Sequence, residues 1–99
     1  MKLTTKQKQF LKAKAHPLKP IIFIGHNGFT DNVKNEIDRG LEDHELIKIS
    51  IQKVDRDLKK QLFLEICQSV GAHAIQLVGK TGVIYRKSNK VTFISDSLK

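Results

Sequence analysis

The chain predicts an α/β fold, a two-layer sandwich of helices on a sheet, with elements in the order α-β-α-β-α-β-β. Three patterns carry this prediction. Apolar residues recur at helical spacing in two stretches, Val33, Ile37, Leu41 and then Leu58, Leu62, Phe63, Ile66, Val70. Between them Ile47, Ile49 and Ile51 alternate with Lys48, Ser50 and Gln52, the period of a strand with one covered face. Strand-like and helix-like segments also alternate along most of the chain. Strand–helix–strand units cross over right-handed, and crossovers that step the same way place both helices on one face of the sheet.

The elements follow in order. Thr4 and Gln7 have the spacing of a capping box and open a helix from about 5 to 15. Leu3, Phe10, Leu11 and Ala15 fall on one arc of it, Lys8 and Lys12 on the opposite arc, and Lys2 and Lys6 at the border. Pro17 and Pro20 end that helix, and Pro20-Ile21-Ile22-Phe23-Ile24 reads as the first strand. Thr30 or Asp31 caps a second helix over about 31–44, with Gly40 beside its apolar stripe to permit close packing on the sheet. The alternating second strand covers 46–52. A third helix spans about 55–70, capped by Asp55 and closed by Gly71. Ala74–Val78 and Val83–Arg86 are two further strands around a Gly79-Lys80-Thr81-Gly82 hairpin loop. Residues 1–87 form a single domain, and residues 88–99 are expected to be a loosely held tail. Phe10, Phe23 and Phe63 read as core. Phe29, Phe93 and Tyr85 are left as the aromatics available for stacking, with Tyr85 the more core-like.

Composition narrows the function classes. Hydrophobic residues make up 39% of the 99, enough for a globular core. No apolar run approaches the roughly 18 residues of a membrane span. The first residues lack the apolar core of a secretory leader, and Cys67 is the only cysteine, so a cytoplasmic setting is expected. His16, His26, His44 and His73 are scattered and make no zinc spacing with Cys67, so no metal or other cofactor is expected.

The net charge is +8, and its distribution says more than its size. Residues 1–29 carry six lysines and no acids, residues 30–66 net −2, and residues 67–99 net +4. A fold that joins the two basic ends would make the one-sided field of a polyanion binder. Gly25-His26-Asn27-Gly28, between a strand and a helix start, suits a phosphate, because glycines admit close backbone approach and the turn supplies N–H donors. His26 adds a stacking face and Asn27 an amide. The candidate polyanion-contacting residues are thus Lys2, Lys6, Lys8, Lys12 and Lys19, the turn Gly25, His26, Asn27 and Gly28, and on the closing strands Lys80 and Arg86. Arg86 has a second option, pairing with an acid of the second or third helix.

Five segments together resemble the CRM domain family (chloroplast RNA splicing and ribosome maturation), in particular its stand-alone bacterial YhbY-type members. They are Leu3-Thr4-Thr5-Lys6-Gln7-Lys8, Ala15-His16-Pro17-Leu18-Lys19-Pro20, Ile24-Gly25-His26-Asn27-Gly28-Phe29-Thr30, His44-Glu45-Leu46-Ile47-Lys48 and Gly79-Lys80-Thr81-Gly82-Val83-Ile84-Tyr85-Arg86. The resemblance implies a four-stranded mixed sheet in order 1-2-4-3 with the last strand antiparallel, similar to the C-terminal domain of a bacterial translation initiation factor. It also implies an RNA-binding protein without catalytic activity, a monomer that associates with ribosomal RNA in precursors of the large ribosomal subunit. Family members commonly carry a lysine after the first glycine of the turn, where this chain has His26, which holds no permanent charge.

Two other readings compete. A small phosphate-handling enzyme, such as an acyl-phosphate hydrolase, would use the glycine turn as a cradle. It would need an arginine in or beside the turn, and the only arginines are Arg39, Arg56 and Arg86. A permanent ribosomal protein would share the basic surface but stay on mature subunits.

Overall fold

The computed structural model describes residues 2–52, 55–92 and 94–98. Helix α1 (Thr5–Ala15) precedes strand β1 (Ile22–Ile24), helix α2 (Asp31–His44), strand β2 (Leu46–Ile51), helix α3 (Arg56–Val70) and the strands β3 (His73–Val78) and β4 (Thr81–Tyr85). A 3-10 turn follows at Ser95–Leu98. The helices begin where the sequence offers side-chain acceptors. Thr4 Oγ1 accepts from the Gln7 amide, and Gln7 Oε1 accepts in return from the Thr4 amide. Thr30, not Asp31, caps α2 through the Val33 amide, and Asp55 caps α3 through the Leu58 amide.

The sheet order is β1-β2-β4-β3. β1 runs parallel to β2, and β4 is antiparallel to both of its neighbours. The order and the antiparallel last strand are those expected. Helices α2 and α3 share one face, where Ile37, Leu41, Phe63, Ile66 and Val70 meet Ile22, Ile24, Ile47, Ile49, Ile51 and Ile84. Cys67 belongs to this core, and burial pushes its thiol up to about 11, the behaviour of an inert packing residue. Gly82, expected in the hairpin loop, lies inside β4. A Cβ there would stand 2.5 Å from Phe63 Cε1, so the bare backbone lets α3 settle on the strand. The hairpin loop therefore shrinks to Gly79-Lys80.

The second face carries a core of its own. Leu3, Leu11 and Ala15 of the α1 region, with Leu98 from the C-terminal segment, cover Leu46, Ile75, Val83 and Tyr85. The alternation of β2 predicts one covered face, yet Leu46 on the other face is buried as well. The covering elements lie more than 30 residues away in sequence, outside any local pattern.

The expectation of a loosely held tail is corrected here. Glu45, at the corner between α2 and β2, has φ 64° and is fully buried. Its Oε2 accepts the Ser88 amide at 2.8 Å, and its Oε1 accepts the amides of Ile94 and Ser95 at 3.0 and 2.9 Å. Burial by itself would raise the pKa of this carboxyl, but the three N–H donors hold it below the ordinary carboxylate value. A buried carboxylate needs such donors, and the tail supplies them. Ser88 is buried too and donates from Oγ to the Glu42 carbonyl at 2.6 Å.

Candidate functional site

Because β1, β2 and β3 all point the same way, the segments that follow them emerge at one end of the sheet. These are the Gly25–Gly28 turn, Gln52 and the Gly79-Lys80 hairpin. Backbone bonds stitch them together: Gln52 N–H donates to Ile24 O at 2.9 Å, and Ile51 N–H to Lys80 O at 2.7 Å. In open α/β sheets this carboxyl end is where ligands bind.

Within the turn, Gly25, His26 and Asn27 are exposed. The Gly28 amide donates to Gly25 O at 3.0 Å and the Thr30 amide to Gly28 O at 3.2 Å. Among the described residues no acceptor reaches the His26 or Asn27 amide, which leaves both for a ligand or water. The two glycines differ in why they are needed. Gly28 has φ 68°, a conformation that disfavours side chains whatever the space. Gly25 has ordinary φ and nothing within 4 Å of a would-be Cβ. The fold itself does not demand a glycine there, and the free space is room for something to approach. Since Thr30 already caps α2 and Asp31 sits in its first turn, the amides of the turn are better placed to take a phosphate than the helix end is.

Lys80 is exposed on the hairpin of the same end. Lys59 joins it by donating from Nζ to the Gly79 carbonyl at 3.0 Å. Lys59, Arg56 and Lys60 rim a groove of about 560 Å³ between α3 and β3, floored by Phe63 and Leu77. The sequence reading missed these three cations because it summed charge over residues 30–66, where the acids of α2 mask them. A window over Arg56–Lys60 alone, with three cations against Asp57, would have shown them.

The four candidate lysines at the N-terminal end are exposed, but they do not act as one group. Gln7 donates from Nε2 to Leu98 O, and Phe10 packs with Ile94 on the second core, so this flank of α1 faces the C-terminal segment. Lys6 lines the cleft there with Ser97 and Leu98. Lys8 and Lys12, roughly 100° or more around the helix from that flank, lie on the other side. Lys14 extends over the Phe10 ring, 5.6 Å from its centroid.

Two expected site residues lie away from the turn, Lys19 by its position and Arg86 by taking its second option, a pair with an acid of α2. Lys19 precedes β1 and lines a cavity of about 380 Å³ with Lys14, His44 and Lys48, so it lies beyond the amino end of the strand whose carboxyl end carries the glycine turn. Arg86 follows β4 and so emerges at the opposite end of the sheet. It is committed there: Nη1 donates to Asp38 Oδ1 at 2.9 Å and Val70 O at 2.8 Å, and Nη2 to Asp38 O at 3.2 Å. Lys90 pairs with Asp43 at 2.8 Å, which draws that carboxyl down and the ammonium up. Two of the five cations in residues 67–99, Arg86 and Lys90, thus meet α2 acids instead of joining the N-terminal lysines.

The aromatic assignment also changes. Phe23, read as core, is 63% exposed, because the middle of β1 points away from α2 and α3 and α1 does not reach it. Phe29, read as free, packs against the α2–α3 core. Tyr85 is buried and stacks on His73 with ring centroids 6.0 Å apart. Phe93 lies outside the described residues. No described helix is long and apolar enough to cross a membrane.

Comparisons with known proteins agree with the fold. The family model for the CRS1 / YhbY (CRM) domain matches residues 3–86. A probable RNA-binding protein of Pseudomonas aeruginosa is 39% identical over 91% of this chain and 86% of its own length. An RNA-binding protein of Haemophilus influenzae is 42% identical over 89% of each chain. The solution structure of a hypothetical protein from Staphylococcus aureus superposes with a TM-score of 0.78 at 38% identity, covering 89% of this chain and 92% of that one. By the span of that match and the identity of these relatives, this chain belongs to the CRS1 / YhbY (CRM) domain family.

Proposed function

We propose that this protein binds RNA without catalysing a reaction, and that its target is ribosomal RNA in precursors of the large ribosomal subunit during assembly. One observation supports RNA binding most directly. The carboxyl end of the sheet joins a glycine turn with free amides and open space to the exposed Lys80, beside a groove rimmed by Arg56, Lys59 and Lys60. Amides that grip a phosphate and cations that track a backbone need no particular base sequence, so recognition is of shape and backbone. Lys8 and Lys12 extend the charge along α1. The names of the relatives favour the same ligand class. The ribosomal assignment, the cytoplasmic location and the monomeric state rest on the family resemblance.

Crosslinking to RNA in growing cells, with sequencing of the crosslinked sites and gradient sedimentation, tests the reading. Crosslinks in large-subunit RNA, on precursor particles that release the protein in high salt, are expected. Salt-resistant residence on mature subunits would make it a permanent ribosomal protein, and crosslinks to unrelated RNAs would refute the ribosomal target. In vitro, the double variant Lys8→Glu, Lys12→Glu is expected to lower RNA affinity about tenfold or more. Its salt dependence should flatten by about one unit of slope for each phosphate no longer neutralised, with little change in thermal stability.

A further inference from the structure

The strand register places four residues in one row across the sheet at its carboxyl end. Phe23 is the partner of Ser50, Ser50 of Thr81, and Thr81 of Val78. Side chains of one register row project from the same face, here the face that also carries α1. The next row lies under the second core, through Val83, but this row has a different character. Its two ends, Phe23 and Val78, are 63% and 62% exposed, and between them lie the half-buried Thr81 and the small Ser50, which is buried. Gln52 extends the polar floor by donating from Nε2 to Ser50 Oγ at 2.9 Å. The row is therefore a shallow trough with a bare aromatic ring at one rim. Phe23 also stands only two residues before Gly25, about 7 Å of extended chain, so a phosphate on the turn and a base on the ring can belong to one stretch of nucleic acid.

We propose that this strip takes an unpaired RNA base, with Phe23 as its stacking platform. The inference rests on the RNA-binding reading and sharpens it, because it separates unpaired from paired RNA as the ligand. An exposed phenyl ring on a sheet, with the half-buried Gln52 amide and Thr81 hydroxyl in the same strip, matches a base, which has an apolar face and a polar edge. Charge argues against a second copy of this chain as the occupant. The chain carries net +8, so pairing two β1 edges brings like fields together, whereas a polyanion is attracted.

The test compares a hairpin RNA with an unpaired loop against a fully paired duplex of equal length. Phe23→Ala is expected to weaken binding of the unpaired RNA about 5- to 150-fold, the range for removal of one stacked base. Phe23→Tyr should stay within about threefold of the parent, and the salt slope should not move, since every phosphate keeps its cation. The chain contains no tryptophan, so Phe23→Trp adds a single fluorophore, whose emission should be quenched by the unpaired RNA. Unchanged affinity in Phe23→Ala would overturn the platform alone. Equal weakening on the duplex would overturn it too, because a base inside a duplex has no free face. A concentration-dependent dimer that Phe23→Ala abolishes without changing RNA affinity would assign the strip to a second copy. Failure of the unsubstituted chain to bind either RNA would remove this inference and the RNA-binding reading together.

Discussion

The two ends of the sheet carry the same kinds of residue and use them in opposite ways. At the carboxyl end of β1, β2 and β3, Lys80 is exposed and the His26 and Asn27 amides have no protein acceptor among the described residues. At the other end Arg86 and Lys90 face Asp38, Glu42 and Asp43, and the Glu45 carboxylate collects three backbone amides. One end leaves its donors open, while at the other these charged groups are paired. A cation's role here follows from what it faces. Arg86 and Lys80 stand on either side of one strand, yet one secures the fold and the other is free for a ligand.

Substitutions at the two ends should separate these roles. The largest effect is expected at the closed end. Glu45→Gln keeps the shape but removes the buried charge that three backbone amides face, and should cost about 2–3 kcal/mol in denaturant unfolding. RNA affinity of the folded fraction should hardly move. Acid should mimic the substitution. The folded carboxyl titrates below its unfolded value, so its contribution is present above pH ~4.5 and is lost as pH falls through the folded value. Amide exchange in residues 88–98 should accelerate over that range. If those amides stay protected in acid, the Glu45 clamp is not what holds the segment.

An intermediate effect is expected at the open end, where the two glycines can be set against each other. Gly28→Ala forces a side chain into a left-handed backbone and should cost about 1 kcal/mol. Gly25→Ala meets open space and should leave stability unchanged while lowering RNA affinity, because its methyl occupies the approach to the turn. Equal RNA affinity in Gly25→Ala would mean that the turn does not touch RNA closely. The smallest effect is expected for Lys90→Ala. Its pair with Asp43 is solvent-exposed, so thermal unfolding should shift by a degree or two at most. A larger drop would place more of the closed end's stability in that exposed pair than its setting suggests.

Much of the fold was legible because it is written in short-range chemistry. The capping box of Thr4 and Gln7, the cap at Asp55 and the isoleucine alternation of β2 each depend on residues a few positions apart. The candidate site was legible in part for the same reason, since a strand, a glycine turn and a helix start adjoin in sequence. Two misreadings, of Phe23 and of the tail, share one cause, a dependence on partners far along the chain. Phe23 reads as core because it lies in an apolar run, and whether its ring is covered depends on how far α1 reaches across the sheet. The tail reads as loose because its residues are polar, and the buried carboxylate that anchors it lies more than 40 residues upstream.

The amino-acid order by itself determined the elements, their caps and the basic character of the molecule, because propensity, periodicity and charge are local or additive. Only the tertiary structure decided which cations stay free, which face of β1 stays bare and what ties down the C-terminal segment. Those outcomes depend on packing between distant elements and on how buried polar groups find partners, and neither is written in any one stretch of sequence.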